Sequence, residues 1–378
     1  MTFLAPVGND AGAGGGGESD RFLPSEIPMA LLDPAGRVLP SSELAMPPAD
    51  VLLELYRQMV LGRRFDSQAT ALTKQGRLAV YPSARGQEAC EIGAVLALRP
   101  QDWLFPTYRD SMAIVARGVD PVEALTLLRG DWHCGYDPYV HNVAPQCTPL
   151  ATNTVHAVGL AHAARIKGED TVALVMLGDG GTSEGDTHEA LNFAAVWKAP
   201  VVFLIQNNGY AISVPLSKQT AAPSLAHKGI GYGVRSVKID GNDPAAVYAT
   251  VDAAIRSAAA GDGPVLIEAI TYRIEAHTNA DDASRYRDPA EVQAWLARDP
   301  VSRLRAHLTE RGLLDDDAVA AIESAAEDRA GELRRRMNVD SELDPADLFR
   351  YVYAAQTPAL ARQARELAEE IDRAEEQR

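Results

Sequence analysis

Two polar residues, Asp179 and Asn208, each stand just after a short apolar run, and their types suit metal chemistry. A carboxylate and a side-chain amide both offer hard oxygen, the donor that Mg²⁺ takes in an octahedron completed by water and phosphate oxygens. Asp179 lies among Gly178, Gly180 and Gly181, and these glycines leave room for a phosphate against N–H groups at the start of a helix. Asn208 belongs to Asn207-Asn208-Gly209-Tyr210. Together they read as a site for a metal-bridged diphosphate. Gly-Asp-Gly alone equally describes a tight strand-to-helix turn. A nicotinamide oxidoreductase is the rival reading, which requires Gly-x-Gly-x-x-Gly and an acid about 20 residues later at a strand end. Here Asp179 would repel a bare pyrophosphate, and the next strand ends in Asn.

The elements that position these residues follow from periodicity. Thr171 to Leu177 is short, apolar and β-branched, as a fully buried strand should be. From Gly185 to Lys198 the pattern turns helical, with Ala190, Leu191, Ala194 and Trp197 on one stripe. Pro200 stops that helix, and Val201 to Ile205 is a second buried strand. A strand–helix–strand crossover makes both strands parallel. Asp179 and Asn208 are therefore expected about one strand spacing apart, roughly 5 Å. Val234–Ile239 and Val265–Thr271 add strands, with a helix over Pro244–Ala260 between them. The predicted fold class is α/β, a mostly parallel, doubly wound sheet.

Before this core, helices are expected from about Pro48 to Gly76, from the 81–89 segment to Leu98, and over Asn153–Lys167. Phe22 to Pro40 is Pro-interrupted and expected to drape over the surface. Gly130 to Asn142 reads as a loop, in which His133 and His141 are polar loop residues. After Pro289 the chain is helical: Ala290–Arg311, Asp315–Met337, and Pro345 onward, where Leu360, Ala364, Leu367 and Ile371 form a thin apolar stripe. The expected organisation is a flexible Gly-rich tail (1–21), an α/β domain with an N-terminal extension (22–340), and a C-terminal helical segment (341–378).

Composition narrows the function classes. The chain has 378 residues, 46% hydrophobic, with a formal charge of −16, which argues against a nucleic-acid or anionic-membrane surface. Cys90, Cys134 and Cys147 lack metal-ligand spacing, and so sparse and odd a set fits reduced thiols in the cytoplasm. No apolar run approaches the ~20 residues a membrane span needs.

The run from Gly178-Asp179-Gly180 through helix and strand to Asn207-Asn208-Gly209-Tyr210 resembles the thiamine diphosphate (thiamine pyrophosphate) motif of transketolase-like enzymes. More closely, it is similar to the α subunit of the 2-oxo acid dehydrogenases, an oxidoreductase family. The resemblance implies that Asp179 and Asn208 ligate magnesium (Mg²⁺) through their side chains and Tyr210 through its backbone carbonyl. A Tyr-Arg pair contacts the diphosphate in that family, and Tyr108-Arg109 matches it. A Ser-Pro-Leu segment touches the aminopyrimidine there; Thr148-Pro149-Leu150 is its counterpart, Thr148 by its hydroxyl and Leu150 by its backbone. Mammalian relatives hold a structural potassium (K⁺) in that segment, and Cys147 departs from their pattern. His277, in His277-Thr278-Asn279-Ala280-Asp281, matches a His-Ser/Thr-x-x-Asp loop whose His contacts the diphosphate and assists acyl transfer to lipoamide. Glu275 stands where the branched-chain group has Gly, and Thr278 where mitochondrial relatives carry a phosphorylated serine.

Single-chain thiamine enzymes carry two α/β domains, and this sequence shows one, the diphosphate half. By the resemblance the carboxylate for the aminopyrimidine comes from a β subunit in an α₂β₂ heterotetramer. That tetramer works with a lipoyl-bearing acyltransferase and a dihydrolipoamide dehydrogenase. Pro300-Val301-Ser302-Arg303-Leu304-Arg305, Asp281-Asp282 and Leu32-Asp33-Pro34-Ala35-Gly36-Arg37 look most like the group acting in branched-chain amino acid catabolism. A pyruvate or acetoin dehydrogenase α subunit is the alternative.

Overall fold

The computed structural model describes residues 23–39, 44–131, 133–339 and 344–377. The tail expected over residues 1–21 lies outside them. The chain divides into two units, residues 1–334 and 335–378.

The first unit opens with an arm, Leu23–Leu39, that does more than drape. Met29 bridges in parallel to Ile239, and Leu31 and Leu32 are buried. The Asp243 carboxylate accepts the backbone N–H groups of both leucines, at 2.6 and 2.7 Å. Exposed edge N–H groups need partners when covered, and the arm takes them from the sheet edge and from this cap.

Helix α1 (Ala49–Lys74) buries Leu52, Leu55, Met59, Phe65 and Leu72, and α2 is Glu88–Leu96. Strand β1 (Trp103–Phe105) leads into α3 (Ser111–Ala116) and the one-turn helices α4 (Pro121–Ala124) and α5 (Thr126–Arg129). The Gly130–Asn142 segment is not all loop: Asp137 caps a turn, α6 (Pro138–His141), with Pro at its first position. Next come α7 (Thr152–Lys167), β2 (Ala173–Gly178), α8 (Gly185–Trp197) and β3 (Val201–Asn207). A short hairpin follows, β4 (Tyr210–Ala211) with β5 (Val214–Pro215). Strand β6 (Arg235–Asp240), α9 (Pro244–Ala259) and β7 (Val265–Ile270) complete the sheet.

The helical stretch expected over Ala290–Arg311 is two helices, α10 (Pro289–Leu296) and α11 (Pro300–Glu310). Asp299 caps the second by accepting from Ser302 N, and Pro300 cannot continue the first. Helix α12 spans Asp316–Met337. In the second unit lie α13 (Asp347–Arg350) and α14 (Pro358–Glu376), whose stripe from Leu360 to Ile371 is partly covered.

The main sheet runs β1-β2-β3-β7-β6 with every pairing parallel. Alternation along each strand sorts its side chains to two faces. Leu174, Met176, Val202, Leu204 and Ile267 pack with α2, α3 and α9. Val175, Leu177, Phe203 and Ile205 pack with α7 and α8. A parallel sheet covered on both faces reads as unbroken apolar runs, which is why these strands were legible. The fold is the expected α/β, doubly wound type. No helix among the described residues is long and apolar enough to cross a membrane.

Candidate active site

Open parallel sheets bind ligands beyond the C-terminal ends of their strands. There, past β1, β2, β3 and β7, lies a cavity of 210 Å³. It is lined by Tyr108, Arg109, Leu150, Gly178, Asp179, Gly180, Gly181, Asn208, Tyr210 and His277. Thr148 is the one expected site residue outside the lining, and it is exposed.

The β2–β3 register pairs Gly178 with Gln206, so Asp179 and Asn208 both stand just past the ends of adjacent strands. Between Asp179 and α8 the glycines form a 3₁₀ turn, Gly180–Ser183, and the α-helix begins only at Gly185. Gly180 and Gly181 of that turn and Glu184, at the cap of α8, all line the cavity. A Cβ added at Gly178 would meet no atom within 4 Å, whereas one at Gly180 would lie 2.8 Å from the Ala211 Cβ.

Asp179 is 1% exposed, and its Oδ2 accepts from Gln219 Nε2 at 2.8 Å. Burial raises its pKa, with the Gln219 bond pulling the other way. A buried carboxylate whose charge is disfavoured suits a cation that is itself part of the site. The donor set also fits a hard cation, being a carboxylate oxygen, an amide oxygen and a backbone carbonyl. No group of three or more His, Cys, Asp or Glu that could hold a metal ion occurs among the described residues, so a cation here needs the amide and carbonyl oxygens.

Two arginines line the same cavity. Arg109 is 5% exposed and donates to Ser83 O at 2.7 Å and to His277 O at 3.2 Å. Arg273, fully buried, donates to Ile212 O at 2.8 Å and to Tyr286 Oη at 2.9 Å, while its Nε has no partner. Both approach His277 Nδ1, Arg109 at 3.1 Å and Arg273 at 3.4 Å. A guanidinium only donates, so Nδ1 accepts and the neutral ring carries its proton on Nε2. Burial, then Arg109 and Arg273, depresses the His277 pKa to about 4. His277 is therefore a neutral imidazole at physiological pH.

The loop that carries it is pinned from several sides. Asp281 accepts from His277 N at 2.8 Å and from the Tyr286 hydroxyl. Tyr272 stacks on Trp295 at 5.4 Å. Gly86 (φ +98) lets the 81–87 segment approach so closely that a Cβ there would lie 2.2 Å from Tyr272 O. The negative charge of Glu275 goes to a surface ion pair with Arg85 at 2.9 Å.

Several contributors escaped the sequence reading. Arg273 was visible four residues before His277, but only the bend of the loop aims it at the cavity. Gln219 arrives from beyond the hairpin, with nothing in the sequence to link it to Asp179. Ile212 lines the cavity from a left-handed backbone (φ +55), strained for a β-branched residue.

Comparison with known proteins gives consistent results. The family model described as "Dehydrogenase E1 component" matches residues 56–345. The 3-methyl-2-oxobutanoate dehydrogenase subunit alpha of Mycobacterium tuberculosis (strain ATCC 25618 / H37Rv) is 46% identical over 326 residues, 86% of this chain and 89% of that protein. The pyruvate dehydrogenase E1 component subunit alpha of Staphylococcus aureus (strain MW2) is 39% identical over 315 residues, 82% and 85% of the two chains.

Proposed function

We propose that this chain, which belongs to the dehydrogenase E1 component family, is the α subunit of a thiamine-dependent decarboxylase acting on a branched 2-oxo acid such as 3-methyl-2-oxobutanoate. The observation that carries the reading is the convergence of Asp179, Asn208, Arg109 and His277 on one cavity at the sheet's C-terminal edge. Bound there, thiamine diphosphate supplies an electron sink for loss of CO₂ from the substrate. Asp179, Asn208 and the Tyr210 carbonyl would hold the Mg²⁺ that screens the diphosphate. Arg109 and Arg273 would neutralise its remaining charge, since guanidinium groups fork onto phosphate oxygens. His277 keeps a proton on Nε2 without carrying charge, and so donates a hydrogen bond without repelling the arginines. Thr148 and Leu150 would meet the aminopyrimidine, Leu150 from the cavity wall. A β subunit supplies the remaining carboxylate. The acyl group then passes to lipoamide on an acyltransferase, opening its disulfide, and once the acyl group has moved to an acceptor thiol a dihydrolipoamide dehydrogenase reoxidises the dihydrolipoamide.

The test is calorimetry of thiamine diphosphate binding with and without Mg²⁺, then turnover after co-expression with candidate β subunits. Mg²⁺-dependent binding and faster turnover of 3-methyl-2-oxobutanoate than of pyruvate are expected. Absence of binding would sink the proposal. Preference for pyruvate would leave the site intact and move the substrate to the class named for the 39%-identical relative.

A further inference from the structure

Along the cavity wall, three side-chain amides lead in single file to a carboxylate set behind it. Asn208 Nδ2 donates to Gln87 Oε1 at 3.0 Å, Gln87 Nε2 to Gln206 Oε1 at 2.8 Å, and Gln206 Nε2 to Asp110 Oδ1 at 2.6 Å. All four are buried, with Asn208 the most accessible at 6% and Asp110 at 0%. Each amide has a donor end and an acceptor end of nearly the same shape, so sterics alone do not fix which way it faces.

The far end of the file does fix it. Asp110 Oδ2 accepts from the backbone N–H of Thr107 at 2.6 Å and from its hydroxyl at 2.7 Å. A backbone N–H can only donate and an ionised carboxylate can only accept; burial pushes the Asp110 pKa up, and the Thr107 N–H and hydroxyl, Gln206 and Arg109 pull it back toward the ionised form that fixes the polarity. Asp110 must therefore receive an N–H from Gln206. That turns Gln206 Oε1 toward Gln87, which must answer with its own N–H and turn Oε1 toward Asn208. Asn208 in turn must answer with its NH₂. Its Oδ1 is left on the other side, where the Tyr210 backbone N–H reaches it at 3.2 Å.

We propose that Asp110 is a positioning residue that acts through Gln206 and Gln87 to hold Asn208 with its oxygen, not its NH₂, toward the bound cation. The inference rests on the Mg²⁺ reading given above. An NH₂ turned to that cation would both remove a ligand and place positive hydrogens against it. Partners that orient a metal ligand from behind are commonly worth about 10–100-fold in metal affinity.

Asp110→Asn keeps the shape and reverses the logic. The fixed Thr107 N–H still demands an oxygen, so the new amide must offer its NH₂ to Gln206. Gln206 and Gln87 then turn over, and Gln87 offers its NH₂ to Asn208, so the demand for an oxygen toward Gln87 competes with the Tyr210 N–H that holds Oδ1 and Asn208 loses the backing that keeps its oxygen toward the cation. Adding Gln87→Glu gives the double variant an acceptor-only group next to Asn208. The new amide donates to Gln206, Gln206 donates to the new carboxylate, and Asn208 again donates backward and shows oxygen forward. The readouts are Mg²⁺ affinity by calorimetry at saturating thiamine diphosphate and Mn²⁺ binding by electron paramagnetic resonance, on the full chain co-purified with its β subunit. Asp110→Asn is expected to weaken binding about 10–100-fold with little change in thermal unfolding, and the double variant to regain most of the loss. Undiminished affinity in Asp110→Asn overturns the relay, as does a double variant no better than the single. If the unsubstituted protein shows no Mg²⁺-dependent coenzyme binding, the reading of the site falls and the relay with it. Normal binding there, with normal binding in Asp110→Asn, removes the relay alone.

Discussion

At the scale of single residues, the site works by assigning charge to some groups and withholding it from others. His277 is the clearest case. Its pKa of about 4 follows from burial first and from Arg109 and Arg273 second. The unfolded chain takes up a proton on this ring near pH 6.5, whereas the folded chain waits until about pH 4. Stability should therefore fall as pH is lowered through that window and level off below it. An NMR titration of the ring is expected to show a midpoint near 4, and Arg109→Met to move it upward. A midpoint that ignores the substitution would contradict the geometry. Asp179 is the complementary group, a buried carboxylate with a depleted set of partners. Asp179→Ala should leave the fold largely intact and weaken Mg²⁺-dependent retention of thiamine diphosphate by about 100-fold or more, measured by calorimetry. Unaltered affinity would refute the ligand assignment. Gly178, Asp179 and Asn208 could be singled out because polar residues and glycines at strand ends are conspicuous after apolar runs, and Tyr210 came through the family resemblance; the structure brings all four to one cavity. Gln87, Gln206 and Asp110 were not, since hydrogen-bond polarity belongs to a three-dimensional file and not to a spacing.

At the scale of elements, the loop from Thr271 to Arg287 shows how a segment without regular structure is held. Thr271 donates from its backbone to Asn207 O at 2.9 Å and Ile274 to Arg85 O at 3.0 Å. The 81–87 segment is thus the bed on which the histidine loop lies, and Gly86 is its point of closest approach. Gly86→Ala requires a Cβ 2.2 Å from Tyr272 O and a left-handed backbone for alanine. We expect a loss of about 1–3 kcal/mol in denaturant unfolding, together with weaker coenzyme binding as the loop carrying Arg273 and His277 shifts. Wild-type stability in this variant would mean the bed yields without cost. The Ala290–Arg311 pattern teaches a related lesson. Helical periodicity ran through both halves, but Asp299-Pro300 ended one helix and capped the next. Periodicity identifies the helix type better than the place where it stops.

At the scale of the whole molecule, one doubly wound sheet is proposed to carry the diphosphate end of the site, with Leu150 on the cavity wall, and the carboxylate for the aminopyrimidine is left to a β subunit. The chain alone is expected to give no measurable 2-oxo acid decarboxylation, and co-expression with the matching β subunit to restore it. Turnover by the isolated chain would overturn the two-subunit account. The sequence by itself determined the buried strands, their parallel sense and the tips at which Asp179 and Asn208 stand, while the order β1-β2-β3-β7-β6 came only with the structure. Buried parallel strands must be unbroken apolar runs, and the residues after them are the first free to be polar. Only the tertiary structure decided the rest: that the N-terminal arm closes the sheet edge, that Arg273 and Gln219 turn to the cavity, and that Asp110 stands behind Asn208. Those outcomes depend on which groups, distant along the chain, must satisfy one another's hydrogen bonds once water is excluded.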